Sequence, residues 1–336
     1  MSLIEPGSGG ALMHPLRALF HNLPIPVVAA PMFLVSGPDL LKACCRAGIV
    51  GSLPAPNART VEVLESWLQD IHADFERARL LGADPAPWLF NMIVHSTYDR
   101  FEAEMELVRL FQPPLVSTAL GSPRRVIETV HGYGGHVISD VITPAMARKA
   151  LEVGVDGLIL VCNGAGGHTG HYNPFAFLAE VREFWDGPLG LAGAISSGRD
   201  IHAAQVMGAD FSVMGTRFIA CTQSLASDGY RQMLVDCSMD ELVPTAAVSG
   251  VLANWMKPSL LQARVDPAST HAAVDFSGNI ASASKAWKDV WSAGHGVGQT
   301  KHETSTEQLV NELVRGYRSS IAANILQSTS NSGATV

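Results

Sequence analysis

The 336-residue chain is 47% hydrophobic and only 16% charged, which provides for a large core and excludes a disordered chain. Its formal net charge is −8 and its pI about 5.8. No basic run tracks a phosphate backbone, so nucleic acid is excluded as a partner. No apolar stretch approaches the ~20 residues that span a bilayer, which excludes a membrane role. Residues 1–14 are Gly-rich and lack a basic region followed by an apolar one, so no signal peptide is expected. The five cysteines, Cys44, Cys45, Cys162, Cys221 and Cys237, are odd in number and form no CxxC pair. That argues against disulfides and zinc and points to a reducing, cytoplasmic setting. Cys162 and Cys221 read as small buried hydrophobes rather than nucleophiles.

Short apolar runs alternate with stretches of helical period. The runs are Val27–Met32, Ile49–Ala55, Trp88–Val94, Leu115–Leu120, His136–Val141, Gly157–Asn163, Leu189–Ala194 and Phe211–Thr216. Near-continuous Val, Ile and Leu closed by Gly, Pro, Asn, Ser or Thr is the pattern of buried parallel strands. Between them the period predicts helices over Pro38–Ala47, Thr60–Ala78, Asp99–Phe111, Pro123–Tyr133, Pro144–Val153, Pro174–Trp185 and Arg199–Met207. Thr143 before Pro144 is a strong helix start. Eight strand–helix units without a GxGxxG after the first strand predict an α/β fold, a closed (β/α)₈ TIM barrel, rather than an open doubly wound sheet. The barrel is expected over residues 1–222. Gln223–Cys237 reads as a helix, and residues 223–296 as a helical cap inserted near the C-terminus. Thr306–Leu326, with Ser305 and Gln308 as a capping box, closes the outer ring within residues 297–327. The Ser- and Asn-rich residues 328–336 read as a flexible tail.

In a barrel, function sits on the loops after the strand C-termini. Strand seven ends in Gly193–Ala194–Ile195–Ser196–Ser197–Gly198 and strand eight in Met214–Gly215–Thr216–Arg217–Phe218. Two loops of small residues at this pair of strands predict a phosphate site made of backbone N–H groups, although each alone reads as a tight turn. Strand six ends in Asn163–Gly164–Ala165–Gly166–Gly167–His168–Thr169–Gly170. Its glycines admit a flat ligand and leave the imidazole uncovered, so His168 is the candidate acid/base among twelve histidines. His171 has no accompanying carboxylate or cysteine at ligand spacing, so no metal is expected. Trp255 and Met256 read either as lining of an apolar pocket or as packing of the cap.

These motifs resemble the nitronate monooxygenase family, once called 2-nitropropane dioxygenases. Ala30–Pro31–Met32 resembles its opening flavin-contact motif and Phe90–Asn91–Met92 its flavin-binding asparagine. Ala165–Gly166–Gly167–His168–Thr169–Gly170 is close to its AGGHxG signature. Gly208–Ala209–Asp210, Met214–Gly215–Thr216–Arg217–Phe218 and Trp291–Ser292–Ala293–Gly294–His295–Gly296 match its C-terminal motifs. The resemblance runs from about Pro26 to Tyr317. It implies non-covalent FMN, with the phosphate on Gly193, Ala194, Gly215 and Thr216. The ring system would lie near Ala30, Pro31, Met32, Asn91, Gly166 and Gly167. It also implies oxidation of a nitronate or nitroalkane by O₂ to a carbonyl compound and nitrite, His168 serving as the base for a neutral nitroalkane.

Three positions depart from the pattern. Ala194 stands where Gly is common; its N–H still serves if its φ is negative. His295 stands where Gln is common. Asp140, at the end of strand five, stands near the expected pyrimidine edge of the flavin. Asp140 is either protonated and a donor, paired with a cation such as Arg217, or turned away to satisfy backbone. The alternative activity is an FMN-dependent NAD(P)H:quinone or enoyl-thioester reductase, and a third reading is a flavin- or phosphate-binding module without turnover. The expected partners are a small-molecule substrate and O₂, with a homodimer left open.

Overall fold

A computed structural model of the chain describes residues 13–269 and 290–332. Its centre is an eight-stranded parallel sheet. Seven strands run β1 (Val27–Ala29), β2 (Gly51–Pro54), β3 (Trp88–Ile93), β4 (Leu115–Ala119), β5 (His136–Val141), β6 (Gly157–Val161) and β8 (Leu189–Ala192). The eighth is β9 (Phe211–Met214), while β7 (Gly167–His168) belongs to a second sheet. The order is β1-β9-β8-β6-β5-β4-β3-β2, and a parallel bridge from Val28 to Val50 brings β1 back to β2. The result is the barrel the alternation predicts, each strand within the expected apolar run. The strands are buried on both faces, which is why they read as continuous rather than alternating runs.

The helices fall between them: α2 (Pro38–Arg46), α3 (Val61–Leu80), α4 (Phe101–Phe111), α5 (Arg124–Gly132), α6 (Pro144–Val153), α7 (Pro174–Arg182) and α8 (Gly198–Val206). The Thr60 and Thr143 side chains accept N-cap bonds from Val63 and Met146 N–H, as their position predicts. Helix α1 (Pro15–His21) lies outside the sequence reading. It inserts Leu16 and Phe20 among the inward residues Val28, Leu89, Leu115, Ile138, Ile159 and Phe211. The Phe20 and Phe211 rings stack at 4.0 Å, so α1 plugs the N-terminal end of the barrel and leaves the other end as its mouth.

After β9 come α9 (Thr216–Ile219) and α10 (Asp228–Asp236). The segment expected as a helical cap is mixed. Strands β10 (Leu242–Thr245) and β11 (Ala253–Met256) form an antiparallel hairpin, followed by α11 (Lys257–Gln262). Residues 270–289, part of the expected cap, lie outside the described residues. Neither strand alternates in polarity, because β11 is buried along its whole length in the cap, so period alone did not reveal them. The last helix, α12 (Thr306–Ser332), runs past the expected end at Leu326 into the residues read as a tail. No Pro or Gly interrupts residues 317–332. Ser305 Oγ accepts from Gln308 N–H, and Gln308 Oε1 accepts from Ser305 N–H, giving the predicted capping box. No described helix is long and apolar enough to cross a membrane.

Candidate active site at the barrel mouth

Strand parity fixes what faces the mouth. Leu89, Leu115, Ile138 and Ile159 form the apolar floor with Phe20. Side chains two residues further along each strand point the same way, so Asn91, Ser117, Asp140 and Val161 form the next layer towards the mouth. Asn91 and Ser117 are partners in the β3–β4 register, and Asn91 Nδ2 donates to Ser117 Oγ at 2.8 Å. The carboxamide oxygen of Asn91 has no donor among the described residues. Asp140 is half-buried, with no hydrogen bond or ion pair among the described residues, and burial pushes its carboxyl up to about 7. Pairing with Arg217 is ruled out. That guanidinium donates to Ser196 O at 2.9 Å and meets Glu312 of α12 at 3.0 Å. Nor does Asp140 bond backbone among the described residues, and burial favours its protonated form.

The β1 loop carries Ala30, Pro31 and Met32, all half-buried at the rim. Its shape is set by two residues the sequence reading did not single out. Ser36 Oγ accepts from Met32 N–H at 3.0 Å and donates to Ala30 O at 3.2 Å. Buried Asn57, after β2, accepts from Leu34 N–H at 2.9 Å and donates to Met32 O at 2.9 Å and Ser36 O at 2.7 Å. Leu34 has φ 60, left-handed and unfavourable for a branched side chain. The Asn57 clamp holds it there. An Asn three residues beyond a strand end, before a helix, was the available signal.

The loops after β8 and β9 adjoin the rim. Ala194 has φ 59, not the negative value that would suit alanine, and its N–H donates to Gly164 O at 3.1 Å. It is therefore removed from the expected set of phosphate donors. The amides of Ser196 and Ser197 are likewise occupied, by the Asp200 carboxylate at 2.9 and 2.8 Å in the capping box of α8. The amides of Gly193, Ile195, Gly215 and Thr216 have no acceptor among the described residues. Thr216 Oγ1 accepts from Gly294 N–H at 2.9 Å, tying the rim to the Ser292–Gly296 segment.

The Gly-rich loop after β6 crosses the mouth and ends in β7, which pairs with β11 through Gly167 with Asn254 and His168 with Ala253. Gly167 has φ 66, open to glycine at no steric cost. A Cβ on Gly166 would lie 2.7 Å from Gly294 N, so this residue must be glycine for the two segments to pass. Asn254 Nδ2 donates to Asn163 O at 3.0 Å and Ala165 O at 2.7 Å, bracing the loop from the cap. His168 Nε2 lies 3.2 Å from Ser249 Oγ, whose own bond runs to Val251 O at 3.2 Å. Burial lowers the imidazole pKa and keeps it neutral. Trp255 and Met256 are fully buried in two apolar clusters of the cap, which decides their reading as packing. All five cysteines are buried and unbonded to one another.

Comparison with known proteins places this mouth in a family. The family model for nitronate monooxygenase matches residues 15–316. A nitronate monooxygenase of Paraburkholderia phytofirmans is 29% identical over 359 aligned positions, covering 91% of this chain and 96% of the relative. A Mycobacterium tuberculosis protein named as a 5-hydroxy-7a-methyl-1-oxo-octahydro-1H-indene-4-carboxyl-CoA dehydrogenase is 26% identical, covering 70% of this chain and 64% of the relative. The solved nitroalkane oxidase of Streptomyces ansochromogenes superposes with a TM-score of 0.77 at 25% identity, over 91% of this chain and 99% of that one. The chain belongs to the nitronate monooxygenase family and is an oxidoreductase.

Proposed function

We propose that the chain binds FMN in the barrel mouth and oxidises nitronates, and nitroalkanes through them, with O₂ to a carbonyl compound and nitrite. The observation that carries this is His168: a half-buried imidazole, its pKa lowered by burial, held on β7 against Ser249 at the end of the strand-six loop. The residues present fit the cofactor. Asn91 and Asp140 offer polar atoms without partners among the described residues where a flat ring would rest. The amides of Gly193, Ile195, Gly215 and Thr216 remain for a phosphate. Ala30, Pro31, Met32, Gly166 and Gly167 bound the ring site, and the Ala194 N–H is already taken by Gly164 O. Bound FMN supplies a two-electron acceptor that O₂ can reoxidise.

The chain's own residues then have distinct tasks. His168 Nε2 and Ser249 Oγ lie 3.2 Å apart and Ser249 Oγ–H donates to Val251 O, so the serine steadies the ring at the mouth. The His168 imidazole takes the α-proton of a neutral nitroalkane, a contribution of typically ~10²–10⁴-fold for a positioned base. A nitronate arrives without that proton and bypasses the step. Asn254 and Asn57 fix the loops on either side of the mouth. The relative named for a carboxyl-CoA substrate makes the reductase of enoyl thioesters or quinones the rival reading. The test is aerobic turnover of purified protein with a short-chain nitronate, following nitrite and oxygen, and mass spectrometry of the released cofactor. Nitrite formation with one FMN per chain supports the proposal; FAD in place of FMN, or no nitrite from any nitronate, contradicts it.

A further inference from the structure

Asp140 is a carboxyl group with no task in the chemistry above. Its position on β5, two residues beyond the floor residue Ile138, aims it into the mouth. Among the described residues, what surrounds it there is neutral. On the inward side, β4 presents Ser117 and Ala119, and β6 presents Ile159 and Val161. Charged groups on α5 and α6 lie across the strand. Arg125 is on Glu102, Arg148 over the Phe184 ring and His131 on Asp156, while Arg124, Glu128, Lys149 and Glu152 are exposed. His168, in the loop over the mouth, has its pKa lowered by burial with no contribution from Asp140. Asp140 itself is perturbed by burial alone, towards about 7. A carboxyl without a cation, an ion pair or a backbone donor avoids the desolvation penalty of its charge by keeping its proton.

We propose that Asp140 stands in the mouth as a neutral acid that donates a hydrogen bond to the bound ring system, so that loss of its proton weakens the hold on the reduced, anionic flavin. This rests on the flavin reading above and gives it a proton-coupled element. With the proton in place, the O–H points towards developing negative charge. Once ionised, the same group sets a second negative charge against it within a few ångströms, and binding of the reduced form must then take up one proton. Each pH unit above the titration therefore weakens reduced-flavin binding about tenfold.

The test measures dissociation constants of oxidised and dithionite-reduced FMN, anaerobically, from about pH 5.5 to 8.5, for the full chain and for Asp140→Asn and Asp140→Leu. Ionisation of free reduced flavin is common to all three proteins and cancels between them. The ratio of reduced to oxidised dissociation constants is expected to climb above pH 7 in the wild type. Asp140→Asn is expected to lack that climb and to hold the reduced form at least tenfold more tightly than the wild type at pH 8.5. Asp140→Leu should be equally flat but weaker than Asp140→Asn throughout, since it has no donor. A wild-type ratio that stays level or falls above pH 7 overturns the proposal, whatever the variants do. So does a climb that survives unchanged in Asp140→Asn. A wild type that binds neither form of FMN at any pH removes the flavin reading itself, and this proposal with it.

Discussion

Ala194 offers a substitution whose sign the backbone decides. Its φ of 59 lies in the left-handed region, where an L-residue other than glycine costs about 1–2 kcal/mol. Replacing it with glycine relieves that cost and adds unfolded-state entropy of about 0.4–1 kcal/mol against folding. Ala194 is exposed, so no packing is lost. The net expectation for Ala194→Gly is stabilisation of about 0.5–1 kcal/mol, a rise of about 1–2 °C in the thermal midpoint of the cofactor-free protein for a chain of this size. Ala194→Val should move the midpoint down, since a β-branched residue is least tolerant of this region. Because the Ala194 N–H donates to Gly164 O rather than into the mouth, FMN affinity should change less than twofold in Ala194→Gly. Differential scanning fluorimetry and fluorescence titration with FMN read both effects. A fall in midpoint for Ala194→Gly, with Ala194→Val unchanged, would show that the loop holds alanine at negative φ in solution and would refute the reasoning.

His168→Asn should lose activity on neutral nitroalkanes by ~10²–10⁴-fold while activity on nitronates falls far less; equal losses in steady-state assays would remove the base assignment. Burial lowers the His168 pKa, so the base stays deprotonated below the ordinary histidine range, and the nitroalkane rate should fall only as pH drops beneath that range. Asn57→Ala leaves the Leu34 amide and the Met32 and Ser36 carbonyls without their side-chain partner, which should destabilise the protein by about 1–3 kcal/mol and weaken FMN binding, measured by thermal melts and titration. Glu104, fully buried beside Tyr98 and Arg100, has its carboxyl pushed up to about 7 by burial. A raised native pKa means the native state holds a proton the unfolded chain has released, so its stabilising contribution is present at low pH and fades as pH rises through about 7. Glu104→Gln should flatten that part of the slope of stability against pH, with Asp140 leaving a remainder of the same sign.

The barrel was legible because its strands are buried on both faces and end in helix-starting residues. The eight-unit count implied a closed ring, and the Val28–Val50 bridge between β1 and β2 closes it. Helix α1 escaped because seven residues carry too little period, and its Leu16 and Phe20 matter only as a plug. The cap escaped for a related reason. Its hairpin partner is the two-residue strand Gly167–His168, far away in sequence, and Trp255 and Met256 are both buried, so no alternation marks β11. Within the site, the glycines and His168 announced themselves through composition. The residues that hold them, Asn57, Ser249 and Asn254, are ordinary polar residues whose importance lies in tertiary hydrogen bonds. The loops after β8 and β9 stood out in the sequence as clusters of small residues. The sequence reading did not show that Asp200 and Gly164 already take three of their amides.

Anaerobic mixing of the FMN-loaded protein with a nitronate, and separately with NADH, tests the account most directly. Bleaching of the flavin absorbance by the nitronate, with recovery and nitrite release on admitting O₂, is the predicted result. Bleaching by NADH with none by any nitronate would contradict it and assign the mouth to a pyridine-nucleotide-dependent reductase.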